Sequence, residues 1–451
     1  MVSQLLNSVK DYKNYYLTWT PEINDFRMFK RLTLLIHTKD GVTNIDINST
    51  RLLDRFVGAL SHSIFAEDKI VIGWNLKELF TFLKFHLANE VFSKDKTNKK
   101  VYSYCKFVDL KLCESFLSIK QTPPKTFREA LDRLRVIYNN ESLNMINKVI
   151  YQPLITEIIP GIETSGIANC EMGTEYCCYD IEGQINGRLN IKLPDSGFFN
   201  PHNLSAEQKN LYSAGTSKKF LVLDYKHYEV SVLAWLSNDF ALNEIVKSGD
   251  DVYSKIWCII SGEDYCTEEK REVVKSIFLP IIYGSGINKI SELTNYSIKA
   301  STFLVEAINK NFTTTFDWVK EHQEKLKTQD FVLDYFGRVL DFSEKSGRDA
   351  WSVRNAIIQA PAALIYLEKL IQLYQKMYLS MDIVASIHDA YVCRIDSQNS
   401  SSVISCAKEI LESPSSFAPG IILKADASVG DKWGMLKKIH INKVDYDDKY
   451  Y

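Results

Sequence analysis

At 451 residues and 51.8 kDa, with 45% hydrophobic and 12% aromatic residues, the chain can bury a sizeable core and has room for roughly two to four domains. A formal net charge of −2 excludes a globally basic coat, so any contact with a polyanion has to come from local patches. Nine cysteines without a C-x-x-C pair and eight scattered histidines speak against a disulfide framework or a zinc site, and for reduced thiols. The N-terminal MVSQLLNSVKDYKNYY lacks a signal peptide's apolar core, and no run approaches the roughly 18 to 20 apolar residues of a membrane span. A soluble, cytoplasmic protein without membrane contact is expected.

In chain order, residues 31–120 read as a small α/β unit. LTLLIHT (32–38) is a strand, Leu52–Ile64 a helix, KIVIGW (69–74) a second strand and Leu76–Leu87 a second helix. The Lys-rich SKDKTNKK (93–100) is a solvated loop, and Lys106–Ile119 continues as strand then helix. Thr122-Pro123-Pro124 breaks the chain, and residues 126–150 follow as an amphipathic helix closed by Pro153 and Pro160-Gly161. Residues 174–200 alternate short strands and turns. Residues 250–330 are mostly helical, Val332–Asp341 is a hairpin, and Trp351–Met377 is a long apolar-striped helix interrupted near Pro361. Ile383–Ile395 reads as strand, turn, strand, Cys406–Leu411 as helix and Ile421–Ala427 as a last strand.

Within KKFLVLDYKHYEVSVLAWLSNDF (218–240) the apolar run Phe220–Leu223 is a buried strand leading into Asp224, and from Glu229 the spacing becomes helical. A carboxylate on so rigid a base suits metal-dependent phosphate chemistry, although a lone aspartate there is more often a helix cap. Arg271, Lys275 and Tyr283 fall on nearly one face of a helix, where two cations and a phenol can grip a triphosphate and stack on a base. By itself R-x-x-x-K more often marks a solvated stripe; the apolar Ile277–Ile282 tells against free exposure. His388-Asp389 sits between β-prone flanks, as at the tip of a tight hairpin. Arg188 follows a glycine on a strand, and Asn355 and Gln359 lie one helical turn apart, where their amides can reach minor-groove acceptors.

Together and in this order, these stretches resemble the family A DNA polymerases, the family of bacterial DNA polymerase I and several phage replicases. DYKHYE (224–229) is similar to the family's first palm motif, D-Y-S-Q-I-E, keeping Asp224, Tyr225 and Glu229. REVVKSIFLPIIYG (271–284) resembles R-x-x-x-K-x-x-x-F-x-x-x-Y-G, keeping Arg271, Lys275, Tyr283 and Gly284. IHDAYV (387–392) resembles the second catalytic motif, H-D-E, keeping His388 and Asp389. GRLN (187–190), YFGR (335–338), RNAIIQ (354–359) and VGDKWGML (429–436) resemble the T-G-R-L-S strand, the T-x-x-G-R turn, the minor-groove helix and the C-terminal ending. The likeness runs from about 174 to 436.

The resemblance implies a multidomain α/β and α+β fold: a right-hand polymerase, with an antiparallel palm sheet, helical fingers and a short helical thumb, behind an RNase H-like, exonuclease-type α/β domain. The implied boundaries are 1–120 for that domain, 121–173 for an abbreviated thumb, 174–237 and 351–451 for the palm, and 238–350 for the fingers. It implies that Asp224, Asp389 and the Tyr225 backbone carbonyl hold two magnesium ions, with manganese as an alternative. Arg271 and Lys275 would meet the triphosphate, Lys275 as part of the catalytic set, and Tyr253 stands where a phosphate-contacting histidine is common. Tyr283 would stack near the templating base and Glu229 would block a 2′-hydroxyl. Arg188, Asn355, Gln359, His388 and Arg338 would touch DNA. Primer–template DNA, dNTPs and a processivity factor or other replication proteins are the implied partners, in a phage-like replicon's host cytoplasm.

The chain departs from the pattern at Phe278, Leu279, Pro280 and Ala390, the last replacing the glutamate after the second catalytic aspartate. The N-terminal unit resembles the family's 3′→5′ exonuclease more faintly. IHTKDG puts His37 and Lys39 where D-x-E is usual, and Leu79 replaces the acid of N-x-x-x-D after Asn75, so its fold is expected without proofreading. A non-catalytic DNA-binding or accessory protein and a single-subunit RNA polymerase are the alternative readings.

Overall fold

The computed structural model describes residues 14–23, 29–48, 70–86, 106–116, 122–169, 173–192, 200–326, 328–343 and 350–439. The expected helix at Leu52–Ile64 and the Lys-rich loop at 93–100 lie outside them.

Five strands build the N-terminal sheet: β1 (Asn14–Ile23), β2 (Phe29–Thr38), β3 (Gly41–Ile47), β4 (Ile70–Gly73) and β5 (Lys106–Asp109), in the order β3-β2-β1-β4-β5. β1, β2 and β3 are antiparallel, and β4 and β5 run parallel to β1. The strand read from sequence as the first, LTLLIHT, is thus the second, and the central strand is β1. Its polar Thr18, Thr20 and Pro21 hide it from pattern reading. Pro21 fits because β4 pairs with β1 only as far as Leu17, leaving β1's later backbone without a neighbour on that side. Helices α1 (Leu76–His86) and α2 (Leu110–Phe116) follow β4 and β5. Leu76, Leu79, Phe80, Phe82 and Leu83 put α1's apolar face in the core.

The expected single helix over 126–150 is divided. Asn140 leaves helical geometry (φ −94°, ψ 106°), ends α3 (Phe127–Asn139), and its side chain accepts from Leu143 N to cap α4 (Glu141–Ile146). Two wide π-type turns, Asn147–Tyr151 and Leu154–Ile158, continue into α5 (Ile159–Ser165). Pro160 does not close this run; it sits where the π-type turn passes into α5, and the chain stays helical through it. α3 packs on β1, and α5 packs between α1 and the C-terminal sheet.

The C-terminal sheet is antiparallel throughout: β6 (Lys218–Lys226), β7 (Met381–Ile387), β8 (Ala390–Asp396), β9 (Lys424–Gly430) and β10 (Lys437–Ile439), in the order β7-β8-β6-β9-β10. Between β6 and β7 lies a helical unit of α6 (Tyr228–Ser237), α7 (Phe240–Ser248), α8 (Val252–Ser261), α9 (Glu268–Ile282), α10 (Ile287–Thr294), α11 (Ile298–Asn311) and α12 (Thr313–Lys325). A short hairpin (Phe331–Leu333, Val339–Asp341) and α13 (Ala350–Met377) complete it, and α14 (Ser400–Glu412) follows β8. The expected interruption at Pro361 is absent: α13 runs through it. Nearly every α13 residue from Val353 to Leu373 is buried, and this packing offsets a cost of ~3 kcal/mol that would break an exposed helix. By length and composition Ser352–Met377 could cross a membrane, but its most apolar window is 94% buried inside the fold.

One continuous core runs from Tyr16 and Ile36 of the N-terminal sheet through Leu154 and Ile158 to Leu223 and Tyr391 of the C-terminal sheet. A second core, around Val230, Ile277 and Phe278, belongs to the helical unit. The N-terminal unit and the C-terminal sheet are therefore one packed body. All cysteines among the described residues are free.

Candidate active site

β6 runs two residues past Asp224, a single left-handed residue follows (His227, φ +51°), and α6 begins at Tyr228. Alternation along the strand turns Leu223 and Tyr225 into the core and Asp224 onto the open face. Asp224 is thus no helix cap; His227 holds that position and makes no side-chain cap bond. Across the sheet Asp224 pairs with Ala390, the residue after Asp389, and Asp389 belongs to the two-residue turn between β7 and β8. The loss of water in the cleft, then Asp389 and Asp426, push Asp224 up to about 6. Burial also raises Asp389.

Asp426 escaped the sequence reading. It is the β9 residue directly opposite Asp224, a pairing that only strand register reveals. Burial would raise it, but Lys438 at 2.5 Å and Lys226 at 3.0 Å outweigh that and hold its carboxyl below the ordinary range.

Among the described residues no group of three or more His, Cys, Asp or Glu is arranged to hold a metal ion. Magnesium, however, needs only one or two carboxylates when water and phosphate oxygens complete its shell. Two carboxylates brought together by a strand and the adjoining hairpin turn, both with raised proton affinity, fit such an ion. β8 pairs with β6 only up to Asp224, so on that side the backbone at Tyr225 is beyond the ladder.

Glu229, in the first turn of α6, is the hub of the second cluster. Arg188 pairs with one of its oxygens, Gln359 Nε2 donates to the same oxygen at 2.9 Å, and Tyr283 Oη donates to the other at 2.6 Å. Asn186, unnoticed in the sequence, donates to Gln359 Oε1 at 2.8 Å. Three residues from distant stretches thus meet on one carboxylate, and Asn186 braces one of them. Burial and Glu229 push the Tyr283 phenol well above its ordinary range.

The cations of α9 are engaged otherwise. Arg271 contacts Asp251 at 3.0 Å, Glu268 at 3.2 Å and also Glu272, while Lys275 is half-exposed with Glu272 at 3.6 Å. Pro280 lies in the last turn of α9, which continues to Ile282 before Gly284 (φ +92°) ends the run. Tyr253 is buried with its ring edge-on to His227 at 5.0 Å. Arg338 is buried, its guanidinium lies close over Gly187, and its backbone N–H donates to Asp334 at 2.8 Å. Asn355 is half-buried one turn before Gln359 on α13. His388 is exposed in the hairpin turn (φ +52°), its ring 5.0 Å from that of His202.

An open sheet face bearing two carboxylates, beside a polar hub and a helix of cations, can bind divalent cations and a polyphosphate together. The model of DNA polymerase family A matches residues 173–435, more than half the chain. The chain belongs to this family. It is 26% identical over 232 residues to DNA polymerase I of Helicobacter pylori (strain ATCC 700392 / 26695), covering 49% of this chain and 26% of that protein. To DNA polymerase I of Aquifex aeolicus (strain VF5) it is 24% identical over 266 residues, covering 56% and 44%. To DNA polymerase theta of Caenorhabditis elegans it is 24% identical over 278 residues, covering 59% and 17%. The chain thus spans less than half the length of these relatives. In three dimensions it is similar to the POL domain of Pol1 from M. smegmatis, solved in complex with DNA primer-template and dNTP. The TM-score is 0.71 at 12% identity, over 96% of this chain and 98% of that one, a likeness of fold.

Proposed function

We propose that this chain is a template-directed DNA polymerase that extends a primer 3′ end with dNTPs and does not proofread. The observation that carries the reading is the pairing of Asp224 with the residue after Asp389, beside the Glu229 hub. In this reading the C-terminal sheet is the palm and α7–α12 the fingers. Asp224, Asp389 and the Tyr225 carbonyl would hold divalent cations, which when bound activate the primer hydroxyl and steady the phosphates. Asp224 and Asp389 must be unprotonated to do so. Glu229, braced by three donors, is rigid enough to exclude a 2′-hydroxyl from the sugar's place, favouring deoxynucleotides over the RNA polymerase reading. Arg271 and Lys275 would exchange their carboxylates for the triphosphate, and Tyr283 would leave Glu229 to stack by the templating base. Asn355, Gln359, Arg188 and His388 line the side where the primer–template minor groove would lie.

The sheet topology supports the absence of proofreading more directly than sequence did. β1 residues 18–20 lie beside the start of α1, where Trp19 Nε1 donates to Asn75 O at 3.2 Å. His37 and Lys39, read from sequence as the nuclease positions, lie on and just after β2 rather than on this strand. Beside α1 the chain has Thr18, Thr20 and Leu79, and the carboxylate there, Asp109, accepts from Asn75 N and Leu76 N, which is fewer acids than two-metal nuclease chemistry uses. The described residues 122–169, packed against both sheets, leave little to clasp duplex product, so a partner clamp is part of the proposal. The engagement of Arg271 by acids favours the second reading, a non-catalytic accessory protein.

Primer extension with dNTPs or rNTPs, on matched and mismatched 3′ ends, tests all of this. We expect dNTP-dependent extension lost in Asp224→Ala and Asp389→Ala, with no trimming of the mismatch. Extension by both variants at the wild-type rate would sink the catalytic assignment, and metal-dependent trimming would sink the other half.

A further inference from the structure

A buried polar chain joins the N-terminal unit to the catalytic hairpin. Lys77, on α1, places Nζ 2.7 Å from Glu163 Oε1 and 2.7 Å from the Tyr179 carbonyl oxygen. Glu163, on α5, also accepts from Tyr179 N at 2.6 Å and from Thr81 Oγ1 at 2.7 Å. All of its partners are donors, so Glu163 is a carboxylate. The pair has 7% and 1% side-chain exposure and grips Tyr179 by both backbone groups. The Tyr179 ring is wholly buried, and its hydroxyl accepts from Ser386 N at 2.7 Å.

Ser386 is three residues before Asp389. Its strand, β7, is the edge of the sheet, so its outward N–H and C=O have no strand neighbour. Tyr179 satisfies the N–H, and His202 Nε2 lies 3.0 Å from the C=O. A hairpin pinned this way holds its turn, and the aspartate in it, at a set height above β6.

We propose that the N-terminal unit is a positioning element for the polymerase site, and that Lys77, Glu163 and Tyr179 are positioning residues acting through Ser386 on Asp389. This rests on the polymerase reading of Asp389. The N-terminal unit thereby serves to fix one wall of a site whose chemistry lies elsewhere.

The test uses the full chain and two variants. Tyr179→Phe keeps the ring and removes the hydroxyl; Lys77→Met with Glu163→Leu removes both charges together, leaving neither orphaned. Hydrogen exchange over residues 381–392 should quicken about two- to tenfold in each, the range one hydrogen bond supports, while β9 is unchanged. The kcat for dNTP addition should fall about two- to tenfold with KM within about twofold. Combining the variants should add little, because they cut one chain. Unchanged hairpin exchange in Tyr179→Phe, exchange quickened evenly across the sheet, or additive losses would overturn the proposal. If the double charge variant does not fold, Tyr179→Phe decides alone. If wild-type protein extends no primer while the hairpin responds as expected, the polymerase reading fails and the coupling stands.

Discussion

Replacing Asp224 by asparagine should abolish extension and yet make the metal-free protein more stable. The carboxyl sits in a poorly hydrated cleft facing Asp389 and Asp426, which raises it from 3.8 to about 6. That rise is worth at most about 3 kcal/mol between the two protonation states. Because Asp224 is on the open face, solvent screening reduces this to about 1 kcal/mol. The sign follows from proton linkage. Below about pH 4 folded and unfolded chains both carry the proton and nothing distinguishes the variant. Between pH 4 and 6 the folded wild type retains a proton that the unfolded chain has lost, so its stability falls as pH rises. Above about pH 6 the full penalty is present. Denaturant unfolding in EDTA should therefore place Asp224→Asn above wild type by about 1 kcal/mol at pH 8, and level with it near pH 3.5. Adding about 10 mM Mg²⁺ should reverse the order at pH 8, because only the wild type gains from binding. Extension at fixed Mg²⁺ should decline at acid pH, below the metal-free carboxyl's own titration because the cation competes with the proton, and the decline should move to higher pH as Mg²⁺ is lowered. A variant less stable than wild type at pH 8 in EDTA would show that Asp224 is a structural partner, and would refute the reasoning.

Glu229→Ala should raise rNTP use relative to dNTP use by at least about tenfold in single-nucleotide addition, because the side chain guarding the sugar is gone. Glu272→Gln removes a carboxylate shared by Arg271 and Lys275. The dNTP KM should fall about two- to fivefold at low salt, and the difference should vanish near 1 M salt. With a trap for released enzyme, the protein alone should add only a few nucleotides per binding event; long unaided products would contradict the idea of a partner clamp.

Much of the site was legible because its chemistry is written in fixed local spacings. Asp224 to Glu229 is a strand end, a one-residue link and the first turn of a helix, and Arg271 and Lys275 share a helix that Tyr283 caps at its C-terminal end. Elements with a clear period, such as β4, α1, β7, β8 and α13, were found for the same reason. Strand β1 was missed because threonines and a proline break its pattern, and the helix over 126–150 was overextended because Asn140 caps in both directions. The burial of Arg338 and Tyr253 is not legible in residue type; it comes from the packing around them.

Which chemistry the chain can carry is legible in its residues alone: two principal aspartates, two cations on one helix face and a glutamate five residues after Asp224. Those are choices of side chain, and backbone packing does not alter them. Tertiary structure alone decided who faces whom. Strand register set Asp426 opposite Asp224, long-range folding gathered Arg188, Tyr283 and Gln359 on Glu229, and helix packing led Lys77 and Glu163 to Tyr179. Such contacts join residues as far as 202 positions apart, as Asp224 and Asp426 are, and no local period reports on a neighbour that distant.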